Sequence, residues 1–205
     1  MLFETRERDI AIRLVDYLAE CGLCRNLSIQ GFYDWFHEYM EESGFVFSDG
    51  MTKICFSHPA LENSVIKVGY IGSTRTDHAE LEYNNYRDAV AQNLDYYFPY
   101  TDFLCERDGV KFFIQQIAEC SEETITSDWY EQLSVQHEEK GEEFEPDKIW
   151  NEVWDLGDSE KIELMFNDFA LSRFLSSHKI GDLHEGNFGF IGDRTVIIDF
   201  SGYHH

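Results

Sequence analysis

Apolar residues recur along the first forty positions at helical spacing. Ile10, Ile12, Leu14, Val15 and Leu18 mark an amphipathic helix over residues 4–22, with Gly22 as its stop. Phe32, Trp35, Phe36 and Met40 place an aromatic stripe on a second helix over residues 28–43. The period then changes. Phe45 and Phe47, then Ile54 and Phe56, then Val65, Ile66 and Val68 form short runs of strand type, separated by Ser48-Asp49-Gly50 and by His58-Pro59. That spacing predicts a small antiparallel meander. Helical spacing returns over residues 77–92, with Leu81, Tyr86 and Val90 along one side. Residues 103–105 and 111–117 predict a hairpin turned at Arg107-Asp108-Gly109. Residues 121–145 are rich in Glu and poor in periodicity, which predicts a solvated helix or loop. Ile162, Met165, Phe166, Phe169, Leu171 and Leu175 predict a helix over residues 158–177. Two short apolar runs, 188–191 and 195–200, close the chain around a turn at Gly192-Asp193.

The 205 residues suffice for one good core and not for two ordinary domains with linkers. The formal net charge of −24 changes the picture more than the length does. Such a surface repels nucleic-acid phosphates and anionic membranes, so neither is expected as a direct partner. It suits basic proteins. The plain reading is a solvated acidic surface; the bolder one is a surface that imitates DNA and occupies a nucleic-acid-binding protein. Residues 1–20 carry Glu4, Arg6, Glu7 and Arg8 without an apolar run, so no signal sequence is expected in them. Five cysteines, an odd number, then point to a reduced cytoplasmic compartment. Cys21 and Cys24 have no second pair at zinc-ligand spacing, so two small residues at a helix end is the better reading.

The chemistry gathers in Gly181-Asp182-Leu183-His184-Glu185-Gly186-Asn187 and Val196-Ile197-Ile198-Asp199-Phe200. Phosphoryl transfer asks a protein to hold a hydroxyl in line and to neutralise phosphate charge through a metal. Asp182, in a loop, can orient the hydroxyl. Asn187, from the same loop, and Asp199, at a strand end, can hold the metal. All ligands are oxygens, so magnesium is the expected ion, with manganese as its substitute. Each segment alone reads as an ordinary turn or strand end; the order and the gaps together favour the site. Lys67 lies within the apolar run Val65-Ile66-Lys67-Val68, where an ammonium must reach a counter-charge or water. In kinases such a lysine contacts the α- and β-phosphates and pairs with a helix glutamate. Glu80 and Glu82 are the available carboxylates, and Glu82 is preferred because Tyr86 lies one turn on.

Residues 57–69, Ser-His-Pro-Ala-Leu-Glu-Asn-Ser-Val-Ile-Lys-Val-Gly, resemble the lysine strand of the early serine/threonine protein kinases of T-seven-like bacteriophages. Asp182-Leu183-His184-Glu185-Gly186-Asn187 is similar to their catalytic loop and to that of aminoglycoside- and choline-kinase-like enzymes. The resemblance spans roughly residues 30–203, with two specific segments. It implies an α+β, protein-kinase-like, two-lobed fold: an N-terminal helical extension over 1–43, a β-rich N-lobe over 44–118 and a short, mainly helical C-lobe over 119–205. It implies ATP with magnesium, Lys67, Asp182 and Asn187 as catalytic groups, and transfer to Ser or Thr of host bacterial proteins in the host cytoplasm. By resemblance, the backbone of Gln116, Ile117 and Ala118 would hold the adenine. The sequence departs from kinases in four places. Gly50 is the single glycine between Phe45 and Phe56; Ser201 follows Asp199-Phe200 where protein kinases have glycine. Ile180 stands where small-molecule kinases have histidine, with His178 offset, and no activation segment precedes His205. The alternatives are therefore a catalytically weak, kinase-like acidic protein that blocks a host protein, and a small-molecule phosphotransferase.

Overall fold

The computed structural model describes residues 5–40, 42–50, 52–70, 76–119, 169–181, 187–192 and 194–202. The protein divides into two compact units. The first takes in Met1–Tyr86 and Tyr100–Ile117, and the second Arg87–Pro99 and Ala118–His205. Helices α1 (Thr5–Glu20) and α2 (Ile29–Tyr39) therefore share a unit with the sheet that follows.

In the first unit, β1 (Val46–Asp49), β2 (Lys53–Ser57), β3 (Ser64–Gly69), β4 (Thr101–Arg107) and β5 (Val110–Gln116) form one antiparallel sheet in the order β1-β2-β3-β5-β4. Helix α3 (His78–Ala91) is inserted between β3 and β4. The expected meander and the expected hairpin are both present. Asp108 and Gly109, at the hairpin turn, have φ of 50° and 79°. Two central residues with positive φ make the turn whose twist matches that of the strands, and Asp-Gly is a favoured pair for it.

Strand alternation gives the sheet two different faces. Ile54, Phe56, Ile66, Val68, Phe112 and Ile114 join Ala11, Val15 and Leu18 of α1 and Phe32, Trp35 and Phe36 of α2 in one buried core. Phe32 sits at its centre, with edge-on rings of Phe47 at 4.9 Å and Phe56 at 5.8 Å. Helix α1 is pinned to the edge strand β4. The Arg8 guanidinium donates to Asp102 Oδ2 (2.8 Å) and to the carbonyl of Phe103 (2.6 Å), where the β4 register shifts by a bulge. Arg107 donates to Asp16 at 2.6 Å. Both helices are shorter than the apolar pattern predicts. Gly22 (φ 94°) and Gly44 (φ 83°) turn the chain in left-handed conformations just beyond their ends.

In the second unit, α4 (Phe169–Ser177) buries Leu171, Phe174 and Leu175. Phe98 packs between Phe174 and Phe200, at centroid distances of 5.6 and 4.8 Å. These contacts explain why residues 87–99, expected with the N-lobe, belong to this unit. The helix expected over 158–177 is present from Phe169 onward; residues 158–168 and the Glu-rich stretch 121–145 lie outside the described residues. Strands β6 (Phe188–Ile191) and β7 (Arg194–Ile197) form the closing antiparallel hairpin. No helix among the described residues is long and apolar enough to cross a membrane.

Candidate functional site

Lys67 points away from the apolar core, on the second face of the sheet. Its Nζ lies 2.8 Å from Glu82 Oε2, so the helix carboxylate it meets is Glu82. Glu80 instead accepts from Lys111 of β5. Residues two apart on a helix differ by about 200° in direction, so the two carboxylates serve different lysines. Glu82 is fully buried and Lys67 is 4% exposed. An isolated charge at that depth would be costly, and pairing offsets part of that cost.

A third group completes this cluster. Lys53, 7% exposed at the start of β2, places its Nζ 2.9 Å from the other Glu82 oxygen. Lys53 pairs in register with Gly69, and Cys55 with Lys67, so all four share a face. The sequence pattern does not single out Lys53. Its signal was there: Lys53 alternates with Ile54 and Phe56 as Lys67 does with Ile66 and Val68, but the register that makes the two lysines neighbours is not written in either run.

Helix α3 is held against this face at its first turn. Asp77 Oδ1 accepts from the backbone N–H groups of Ala79 (3.0 Å) and Glu80 (3.1 Å), as an N-cap does. A side chain at position 69 would collide with this carboxylate and would have to displace it from the cap. Burial pushes the Asp77 carboxyl above the ordinary range, against the lowering effect of those two N–H groups. Further along, the rings of Tyr83 and Phe113 pack at 5.5 Å, and Gln115 donates to Thr101 Oγ1 at 3.0 Å. Two buried thiols, Cys24 and Cys105, are raised chiefly by burial, which disfavours the nucleophilic thiolate.

The expected adenine-binding backbone lies where the chain leaves the first unit. Gln116 N donates to Tyr100 O at 2.8 Å and Ile117 N to Asn63 O at 2.9 Å. Ala118 opens the second unit, where its Cβ lies above Gly189; a Cβ at position 189 would come within 2.9 Å of it. Glu119 and Phe190 exchange backbone hydrogen bonds of 2.9 and 2.8 Å across the same place.

Of the expected metal set, Asn187 and Asp199 are described and Asp182 lies outside the described residues. Asn187 is buried, and its carbonyl accepts from Ile198 N at 2.8 Å. That bond extends the β6–β7 ladder by one step and leaves Asp199 as the next residue along. Ser201 Oγ lies 3.4 Å from Asp199 Oδ1. Among the described residues, no three His, Cys, Asp or Glu side chains gather in metal-holding geometry. The described part of the expected set holds one carboxylate and one amide, an oxygen donor set that suits magnesium. His178 is engaged elsewhere: its ring contacts Phe174 O at 2.9 Å and Asp88 Oδ2 at 3.3 Å. Gly202 (φ 75°) passes so near the end of α4 that a Cβ there would meet His178 O at 2.5 Å.

No protein-family model matches this chain, and no curated protein matches it either.

Proposed function

We propose that the protein is an ATP-dependent kinase that transfers the γ-phosphate to Ser or Thr of a protein substrate. The observation that carries this reading is the buried Lys67–Glu82 pair, 2.8 Å long, between the third strand of an antiparallel sheet and the helix inserted after it. A lysine so held is the group that meets the α- and β-phosphates in a protein kinase. Glu82 fixes the direction of the ammonium, and the apolar strand around it keeps water away. The backbone of residues 116–118 would take the adenine edge. Asn187 and Asp199 would hold magnesium, which when bound supplies charge neutralisation on the phosphates. Asp182 would orient the hydroxyl and accept its proton. Peptide substrates with basic flanks suit the net charge of −24.

The test is transfer of radiolabel from γ-labelled ATP, with magnesium or manganese, to the protein itself and to a bacterial lysate. Wild type is expected to transfer label; Asp182→Ala and Asp199→Ala are expected to abolish it. A wild-type protein that transfers none defeats the proposal.

Charge favours a second reading, a kinase-like acidic protein that blocks a basic partner. Acidic residues outnumber basic ones 40 to 16. Arg8, Lys53, Lys67, Arg107 and Lys111 are already engaged by carboxylates. A stoichiometric basic partner whose capture survives Asp182→Ala would support this reading, and loss of capture with that variant would count against it.

A further inference from the structure

The Lys67–Glu82 pair would be complete with one ammonium for one carboxylate. Lys53 is a second ammonium on the same carboxylate, with its Nζ 2.9 Å from Oε1 while Lys67 holds Oε2 at 2.8 Å. Both lysines are more than nine-tenths buried. Desolvating an extra ammonium costs several kcal/mol before any compensation, and an apolar residue of the same length is often the more stable choice at such a position. A methionine at position 53 would fill the space. The second lysine therefore asks for a reason beyond holding the helix.

Its position suggests one. Lys53 is the first residue of β2, directly after the turn from β1, and its carbonyl accepts from Gly50 N at 3.0 Å. In kinases this turn is rich in glycine, so that backbone N–H groups can approach the phosphates. Here Gly50 is the single glycine between Phe45 and Phe56. A turn with side chains cannot bring its backbone as near. A lysine at the base of the turn can supply positive charge without close backbone approach, since its ammonium acts as a point charge on a flexible stem. By register Lys53 also shares a face with Lys67, as its diagonal neighbour across β2 and β3. An ammonium carries three donors, so one lysine can hold a carboxylate and a phosphate together.

We infer that Lys53 is a second phosphate-binding lysine, which with Lys67 grips the polyphosphate of a nucleoside di- or triphosphate and stands in for the missing glycine-rich turn. The inference rests on the nucleotide-binding reading above and names the part of the ligand that the site selects. Affinity should rise steeply with phosphate number, and Lys53 should carry part of that rise.

Titration calorimetry of the full chain with adenosine, ADP and ATP in magnesium tests this. Lys53→Met is expected to weaken ATP binding tenfold or more and to leave adenosine binding within twofold; Lys53→Arg is expected to recover most of the loss. ATP affinity within twofold of wild type in Lys53→Met overturns the inference. A lysine that only positions α3 would weaken adenosine and ATP alike, which also overturns it. Should Lys53→Met fail to fold, the wild-type protein decides. An acyl-phosphate derivative of ATP, reactive at its terminal phosphate, is expected to acylate both Lys53 and Lys67, with excess ATP suppressing both adducts. Acylation of Lys67 alone overturns the inference and leaves the kinase reading standing. No nucleotide binding by wild type overturns both.

Discussion

The two faces of the five-stranded sheet are built from the same strands and do opposite things. One presents Ile54, Phe56, Ile66, Val68, Phe112 and Ile114 to the apolar stripes of α1 and α2. The other carries Lys53, Lys67, Lys111 and Gln115 and faces α3, whose Glu82 is fully buried against the first two lysines. Both faces bury side chains, although the Lys111–Glu80 pair on the second stays partly exposed. The first gains stability from burial, at roughly 25 cal/mol per Å² of apolar surface. The second gives up some of that gain to hold three charges in fixed places. A sheet covered on its apolar face by helices of its own can keep a polar cluster on the other.

The comparison predicts different failures. Phe56 is fully buried at the centre of the apolar face, and Phe56→Ala should cost about 3–5 kcal/mol. Calorimetry should show the melting temperature falling by about 2–4 °C for each kcal/mol. The protein that remains folded should keep the nucleotide affinity proposed above. On the other face, Glu82→Ala should cost a similar roughly 3–5 kcal/mol, because two buried ammonium groups lose their shared carboxylate. The triple variant Lys53→Met, Lys67→Met, Glu82→Leu breaks the symmetry. It should regain wild-type stability to within about 1 kcal/mol, since a packed apolar trio often replaces a buried ionic one without loss. It should bind no ATP. If the triple variant unfolds as readily as Glu82→Ala, the cluster is a stabilising element and the contrast between the faces fails.

The apolar face was the more legible in the sequence. Period-two runs at 54–56 and 65–68 announced strands, and Asp108-Gly109 announced the turn. The stripes of α1 and α2 announced helices but not what those helices cover, because an amphipathic pattern does not name its partner. Residues 1–43 thus read as an extension, whereas Val15, Leu18 and Phe32 share a core with the sheet. On the polar face, Lys67 stood out because an apolar run surrounded it. Lys53 did not, because it opens its run and neighbours Lys67 only through strand register. The choice between Glu80 and Glu82 turned on helix azimuth, which the sequence states only as a period.

Smaller effects sharpen the contrast at the sheet's edge. Arg8 ties α1 to β4 through Asp102 and the carbonyl of Phe103, with both charged side chains about a third exposed. An ion pair so placed contributes about 0.2–1 kcal/mol and weakens in salt. Arg8→Ala should therefore lower stability by about that amount in dilute buffer, and by less in 1 M NaCl. The carbonyl contact keeps the loss from vanishing, since a neutral acceptor is less screened than a carboxylate. Urea unfolding at the two salt concentrations would measure it. A loss that does not change with salt would mean that the Asp102 ion pair contributes nothing and that Arg8 acts through the Phe103 carbonyl and packing alone.

The smallest effect lies at the cap of α3, where the polar face meets its helix. Asp77 has a carboxyl raised by burial, so in the window above the ordinary aspartate value the folded protein binds a proton that the unfolded chain has released. The folded state then holds more protons than the unfolded one. Stability from this group is fully present at low pH and is lost as pH rises through the raised value. Asp77→Asn removes the titration and keeps an oxygen able to accept from Ala79 and Glu80. At neutral pH the variant should be slightly more stable than wild type, because an amide carries no charge to desolvate. The difference should shrink as pH falls and vanish once Asp77 is protonated. Thermal unfolding of both proteins in parallel across that range isolates the group, since the other titrations of this acidic chain cancel in the difference. A variant less stable than wild type at neutral pH would mean that the charged carboxylate at the helix start, favoured by the helix dipole, outweighs its burial.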